Sequence, residues 1–334
     1  MKKQNLEQLI VSSRVRLARN LEDIAFRTDK PDAFDEVAST LTKKNTELVN
    51  VARIDALPKK MATALFEQHL ISRDILQNRR NGMIVANGDK ATNKVCVMLG
   101  EEDHIRIQVI EVGLRLKEAA QAAGKLSNDL VRSHKIAHDE KLGFLTCCPT
   151  NLGTGMRASV MMFLPALTHS GYIRNVITEL RHKRITVRGV YGEGSEATGH
   201  MYQLSNQACL GKTENEIIDL VTEAVTWIAG LELDMQARMM QNDSDGIMNR
   251  VMQSFGILTH SHMIASSEAV EHLSWLKLGD CLGIIRFKPR VLDDLFFVIQ
   301  PATLTHKIEQ EDIRTRDKIR AKKIADELRL GRIK

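Results

Sequence analysis

The chain has 334 residues, a formal net charge of +5, 43% hydrophobic, 27% charged and only 4% aromatic residues. That balance describes a soluble globular protein with room for two domains and excludes a disordered chain. No run approaches the roughly 20 apolar residues of a membrane span, and the basic start MKKQNLEQLIVSSR is too short in apolar residues for a signal peptide. Five cysteines, with Cys147 and Cys148 adjacent, do not form a disulfide framework, so a reducing, cytoplasmic setting is expected.

In chain order, the first informative segment is Ser12-Ser13-Arg14-Val15-Arg16. If it is extended, Arg14 and Arg16 share a face. Helical patterns follow over 33–48 and 59–70, the second ending near His69. Strands are predicted over 95–99 and 105–110, with Ile105, Ile107 and Val109 on one face. Carried back through Glu101-Glu102-Asp103-His104, the same alternation puts Glu102, His104 and Arg106 together, a carboxylate beside an arginine. A helix over 114–138 and a strand over 144–148 lead into LTCCPTNLGTGMR, residues 145–157. There Cys148 precedes Pro149, where neighbouring arginines would favour its thiolate. A helix is predicted over 156–167, and its start after Gly155 would suit an anion. A strand over 185–190 runs into Arg188-Gly189-Val190-Tyr191-Gly192-Glu193, a glycine turn whose N–H groups can approach phosphate.

Farther on, Thr213 and Glu216 form a capping-box pattern opening a helix through Ile217, Leu220, Val221, Ala224, Val225 and Ile228. The polar stretch 241–246 marks a break, dividing the chain into 1–240 and 241–334. Ser266 or Ser267 is placed at the cap of a helix ending before Gly279. A last helix over 311–330 carries Ala321, Ile324, Ala325 and Leu328 on one stripe and Arg316, Arg320 and Lys323 on another. The mixture of elements reads as α/β or α+β, without a strand order.

Arginines supplied by four separate segments suit a polyphosphate, because guanidinium forks match phosphate oxygens and stay charged. Carboxylates in two of those segments suit a cationic partner. Together they point to phosphoryl transfer onto a basic nitrogen. Gly153-Thr154-Gly155-Met156-Arg157-Ala158 and Gly192-Glu193-Gly194-Ser195-Glu196-Ala197 imitate a dinucleotide fingerprint. The first lacks the acidic residue about 20 positions on, and no Walker A sequence occurs. His260 and His262 have no third ligand nearby, so no metal site is expected. Ten Lys/Arg against six Asp/Glu in 307–334 read as a solvated helix face rather than a nucleic-acid surface.

In their order and joint presence, SSRVR, EEDHIR, LTCCPTNLGTGMR and VRGVYGEGSE resemble the catalytic domain of the phosphagen (guanidino) kinases, from about Val11 to Gly211. Within that superfamily the chain looks most like the bacterial protein arginine kinases. Little sequence precedes SSRVR, and Arg316-Asp317-Lys318-Ile319-Arg320-Ala321 fits their R-D-x-x-R-A phosphoarginine motif. The resemblance implies an α+β fold, an antiparallel sheet with flanking helices of the glutamine synthetase and guanidino kinase type, plus a mainly helical C-terminal domain. It assigns Glu102 and Glu193 as catalytic carboxylates and Cys148 as the cysteine near the acceptor nitrogen. ATP falls to Ser12, Ser13, Arg14, Val15, Arg16, His69, Arg106, Arg157, Ala158, Ser159, Val160, Met161, Arg188, Gly189, Val190, Tyr191, Gly192 and Glu193. Phosphoarginine falls to Arg316, Asp317, Arg320 and Ala321. Mg2+, protein substrates presenting arginine, a zinc-binding activator, the Clp unfoldase and protease, and a homodimer formed through the C-terminal domain are implied as well. The rival readings are a kinase for a small free guanidine and a catalytically silent phosphoarginine-binding adaptor. In this chain Gly100 and Met161 depart from residues common in the superfamily.

Overall fold

The computed structural model describes residues 3–26, 31–77, 82–88, 93–189, 198–308 and 312–333. Its strands are β1 (Ile10–Arg19), β2 (Leu48–Arg53), β3 (Met83–Asn87), β4 (Lys94–Leu99), β5 (Ile105–Val112), β6 (His138–Asp139), β7 (Gly143–Phe144), β8 (Met156–Phe163), β9 (Ile185–Arg188) and β10 (Met201–Asn206). Eight of them make one antiparallel sheet in the order β2-β3-β4-β5-β1-β8-β10-β9, and β6 and β7 pair separately. Helices α1 (Lys3–Leu9), α2 (Pro31–Lys44), α3 (Lys59–Glu67), α4 (Arg73–Gln77), α5 (Leu116–Val131), α6 (Pro165–His169) and α7 (Ile173–His182) fall among the strands. Helices α8 (Glu214–His260), α9 (Ser266–Leu282), α10 (Val291–Val298), α11 (Pro301–Thr305) and α12 (Ile313–Gly331) follow them.

Strand alternation sends Val15, Leu17, Ile107, Val109, Ala158, Val160 and Leu204 to one face. There α2, α5, α7 and the first half of α8 bury them in the largest core. A fully buried Leu or Ile in such a layer stabilises by about 1.5–3 kcal/mol. Among the described residues, the opposite face is covered at two places. Over β3 and β4, α3 and α4 close on Ile84, Ala86, Cys96 and Met98. At the far side, the later helices close on Val11, Met161, Phe163 and Met201. Between these two covers the sheet carries its arginines.

Two buried glutamates tie the helices to this frame. Glu232 of α8 accepts N–H bonds from Ala166 and Leu167 at the start of α6, both at 2.9 Å. Glu67, the last residue of α3, accepts from Ala302 N at 3.1 Å, Thr303 N at 2.6 Å and Thr303 Oγ1 at 2.9 Å at the start of α11. Each carboxylate supplies the partners that orphan helix N–H groups require.

The structure corrects several expectations. Residues 156–163 are a strand, not a helix. Its first half does alternate, with Arg157 and Ser159 on the open face and Met156, Ala158 and Val160 in the core; only from Val160 to Phe163 are both faces covered, and that apolar run hides the strand. No helix therefore begins at Gly155, and no helical anion site exists there. Residues 101–104 form bends rather than a strand extension. Glu102 and His104 consequently part company. His104 is buried, with Nδ1 accepting from Leu21 N at 3.0 Å and Nε2 near Ala25 O at 2.9 Å. The strand expected over 144–148 is limited to Gly143–Phe144.

The Thr213–Glu216 capping box forms as read, with both reciprocal bonds present. Instead of a turn at 241–246, α8 continues and breaks its helical geometry only at Asp243 (φ −153°, ψ 65°). Asp243 Oδ1 accepts from Gly246 N at 2.9 Å and restarts the helix like an N-cap. Helix α9 has Ala265 at its cap and passes Gly279 to reach Leu282. Gly279 is a packing glycine, since a Cβ there would lie 2.5 Å from Val251 Cγ1.

Candidate active site

The open part of the sheet face is a trough floored by arginines. Arg14 and Arg16 come from β1, Arg106 from β5, Arg157 from β8 and Arg188 from the end of β9. Register brings them together, because Arg16 lies opposite Arg157 on one side, and Ala18 lies opposite Arg106 on the other. Arg16, Arg106, Arg157 and Arg188 share a cavity of about 420 Å³ with Glu102, Cys148, Thr150 and Asn151.

Polar neighbours aim the arginines. Ser205 Oγ accepts from Arg157 Nε at 3.3 Å and Nη2 at 3.0 Å, and Ser159 Oγ accepts from Arg14 Nε at 3.4 Å. Arg106 Nη1 donates to Glu101 Oε1 at 2.6 Å, while its Nη2 lies 3.8 Å from Glu102 Oε2. Glu101 is buried and serves the arginine; Glu102 is half-buried and lines the cavity. Arg16 Nε is buried without a hydrogen-bond partner. Burial, followed by the charges of Arg157, Arg106 and Arg188, pulls the Arg14 guanidinium down to about 10. Burial and the charges of Arg14, Arg106 and Arg157 push Arg16 in the same direction. Such an array stores repulsion that a polyanion would relieve.

The loop bearing Cys148 is fixed from beneath. Buried Asp103 Oδ1 accepts from Cys147 N at 2.8 Å and from Asn20 Nδ2 at 2.8 Å. Thr146 Oγ1 donates to Cys148 O at 2.9 Å, and Cys148 Sγ lies 3.1 Å from Thr150 Oγ1. Gly155 (φ +66°) lets this loop cross β1, since a Cβ there would meet Ala18 O at 2.6 Å.

His69 closes one side of the trough. Its backbone sits at φ +61°, and its carbonyl accepts from Gln108 Nε2 at 2.7 Å. Burial first, and Arg14 next, lower its imidazole to about 3, leaving it neutral. Ser12, Ser159 and Met161 fall on the trough face by alternation. Ser13, Val15, Ala158 and Val160 point to the opposite face, so only their backbone borders the trough. Ser13 Oγ donates to Gly113 O at 2.7 Å and accepts from Arg115 N at 2.9 Å, a structural tie. Gly189 ends the described part of its segment, and Val190, Tyr191, Gly192 and Glu193 lie outside the described residues.

Sequence reasoning missed Glu101, Asp103, Ser205 and Gln108. Each acts through a neighbour brought by the sheet, and only the acidic run around residue 102 hinted at the first two.

The tail motif is arranged differently from expectation. Arg320 is buried with its donors committed to Asp317 Oδ1 (2.5 Å), Ile264 O (2.8 Å) and Ile299 O (3.0 Å). Arg320 and Asp317 thus hold α12 in place instead of presenting a clamp, and Ala321 is core. Arg316 lines a cavity of about 390 Å³ with Lys59, Lys60, Thr63 and Glu67.

A family model for the ATP:guanido phosphotransferase C-terminal catalytic domain matches residues 32–235, and one for the protein-arginine kinase McsB C-terminal domain matches 244–332. The chain belongs to the protein-arginine kinase family of guanidino phosphotransferases. Among its relatives, a protein-arginine kinase of Caldanaerobacter subterraneus subsp. tengcongensis is 38% identical over 306 residues, covering 89% of this chain and 90% of that one. One from Staphylococcus epidermidis is 37% identical over 327 residues, covering 96% and 94%. The crystal structure of a lombricine kinase shares the fold at TM-score 0.57 and 22% identity, over 69% of this chain and 68% of that chain. As a member of this family the chain is a phosphotransferase acting on guanidino groups, with an α+β catalytic fold and a helical C-terminal region.

Proposed function

We propose that the protein transfers the γ-phosphoryl group of ATP to arginine side chains of proteins. The observation that carries this reading is the meeting of Arg16, Arg106, Arg157 and Arg188 with Glu102 and Cys148 around one cavity. The four guanidinium groups neutralise a triphosphate and the group in flight. A guanidinium is a poor nucleophile, so it must be oriented and must lose a proton as the N–P bond forms. Glu102, half-buried beside the arginines, is the described carboxylate placed for that. Glu193 is proposed as the second carboxylate on the resemblance of its segment.

Among the described residues no group of three or more His, Cys, Asp or Glu side chains could hold a metal. Mg2+ would instead come with the nucleotide, on whose phosphates it would neutralise developing charge beside the arginines.

The deciding assay incubates the full chain with ATP and either casein or free arginine, and reads acid-labile phosphoarginine by mass spectrometry. Labelled casein is expected, and Glu102→Gln should cut turnover by about a hundredfold or more. Labelling of free arginine alone would replace this reading with a small-guanidine kinase. ATP turnover absent with both acceptors would favour the silent adaptor.

A second reading concerns the tail. The cavity combining Arg316, whose Nε is buried without a hydrogen-bond partner, with Lys59 and Lys60 supports a docking site for phosphoarginine. Arg316→Ala should then weaken binding of a phosphoarginine peptide in calorimetry. The resemblance further supports a cytoplasmic homodimer that marks proteins for the Clp protease and works with a zinc-binding activator.

A further inference from the structure

Glu102 and Cys148 face one cavity from two separate segments of chain. Neither residue sits in a strand or an α-helix, so no ladder of backbone bonds sets the gap between them. Phosphoryl transfer is sensitive to that gap, because a misplacement of about 1 Å can cost about a hundredfold in rate. Side chains must therefore fix it.

One side chain touches both segments. Asn20, the first residue after β1, is only 1% exposed. Its Oδ1 accepts from His104 N at 2.8 Å, and its Nδ2 donates to Asp103 Oδ1 at 2.8 Å and to Leu145 O at 3.0 Å. Both amide hydrogens are spent, one on each segment. Asp103 Oδ1 also accepts from Cys147 N at 2.8 Å, which makes a second path between the segments through the same amide. Asp103 directly follows Glu102, and Cys147 directly precedes Cys148. The junction is thus one residue away from each group it aligns.

The main chain braces this junction. Asn20 O accepts from Ala137 N at 2.8 Å, and Ala137 O accepts from Leu145 N at 3.1 Å. The neighbouring Arg19 grips both ends of the Cys148 loop. Its Nη1 donates to Thr154 O at 3.0 Å, and its guanidinium carbon lies 3.5 Å from the centre of the Phe144 ring. Aspartate at position 20 would have the same shape but no hydrogen to donate, and serine would have only one.

We infer that Asn20 is a positioning residue that sets the spacing of Glu102 and Cys148 across the acceptor pocket. The inference rests on this cavity being the phosphoryl-transfer site. It also gives β1 two tasks, since the strand that carries Arg14 and Arg16 ends in the residue that aligns the acceptor side.

The test measures kcat with casein, and ATP affinity by calorimetry without acceptor, on the full-length enzyme. Asn20→Asp keeps the acceptor for His104 N and removes both donors. It should lower kcat about a hundredfold and leave ATP affinity unchanged. The double variant Asn20→Asp with Asp103→Asn exchanges donor and acceptor and restores the net charge. Its kcat should lie only about tenfold below the parent, because Leu145 O still lacks its donor. The double variant carries the test if the single one does not fold. A tie that serves only the fold would lower the urea midpoint without separating kcat from ATP affinity. Parental kcat in either variant, or kcat and ATP affinity falling together, would overturn the inference. Glu102→Gln separates the two possible failures. If its kcat is parental, the acceptor reading of the cavity fails and the inference with it. If its kcat falls about a hundredfold while Asn20→Asp stays parental, only the role of Asn20 fails.

Discussion

Two groups of arginines make opposite use of the same side chain. In the trough, Arg14, Arg16, Arg106, Arg157 and Arg188 crowd one another, and Arg16 keeps a buried Nε without a hydrogen-bond partner. In the last helix, Arg320 is more deeply buried, yet three acceptors satisfy it, one of them a carboxylate. Burial alone therefore does not identify a binding arginine. Arginines crowded against like charge, with donor capacity left over, await an anion, whereas one with its donors spent holds the fold.

The sharpest way to break that contrast is to remove Arg320. Arg320→Ala should lower the free energy of unfolding by about 3–5 kcal/mol, because Asp317 is left buried without its partner. Urea unfolding measures this, and a loss under 1 kcal/mol would mean that Arg320 is not structural. Next in size is Arg16→Ala, which should cost on the order of 10²–10³ in turnover, comparable to losing one preorganised donor. Its stability should be unchanged or higher, since a repelled cation is gone. A large drop in melting temperature would erase the distinction between the two groups.

How much of this was legible in the sequence follows from the range of each interaction. The trough face of β1 was readable because alternation is local, so Arg14 and Arg16 follow from spacing alone. The capping box at Thr213 and Glu216 is equally local. The β8 strand was harder to read, because its alternation lasts only from Met156 to Val160 before covers from two different helix groups leave Val160–Phe163 apolar on both faces. The motif Arg316-Asp317-Lys318-Ile319-Arg320-Ala321 was visible as a pattern, but its division of labour was not. Arg320 turns inward only because Ile264 and Ile299, from other segments, present carbonyls to it. Lys59 and Lys60 carried no signal at all, since their relevance depends on α11 docking on α3 and bringing Arg316 of α12 beside them.

The smallest effect extends the contrast to a histidine. In the trough, burial leaves Arg14 at about 10 and still charged at neutral pH. At His200, burial and the nearby His169 lower the imidazole from 6.5 to about 4, so the folded protein holds it neutral. The His169 ring lies 4.6 Å away and stacks on Trp275, and Arg250 sits over that indole, so the surroundings offer cation and aromatic faces. Above pH 6.5 the imidazole is neutral in both folded and unfolded chains and contributes no pH dependence. Between 6.5 and 4 the unfolded chain binds a proton that the folded chain refuses, so stability falls as the pH falls through that window. His200→Asn keeps the positive φ of +59° accessible and removes the titration. The urea midpoint of the variant should therefore decline less steeply than that of the parent between pH 6.5 and 4, and run parallel to it above pH 6.5. Equal slopes across the acid window would show that His200 is protonated as readily in the fold as out of it.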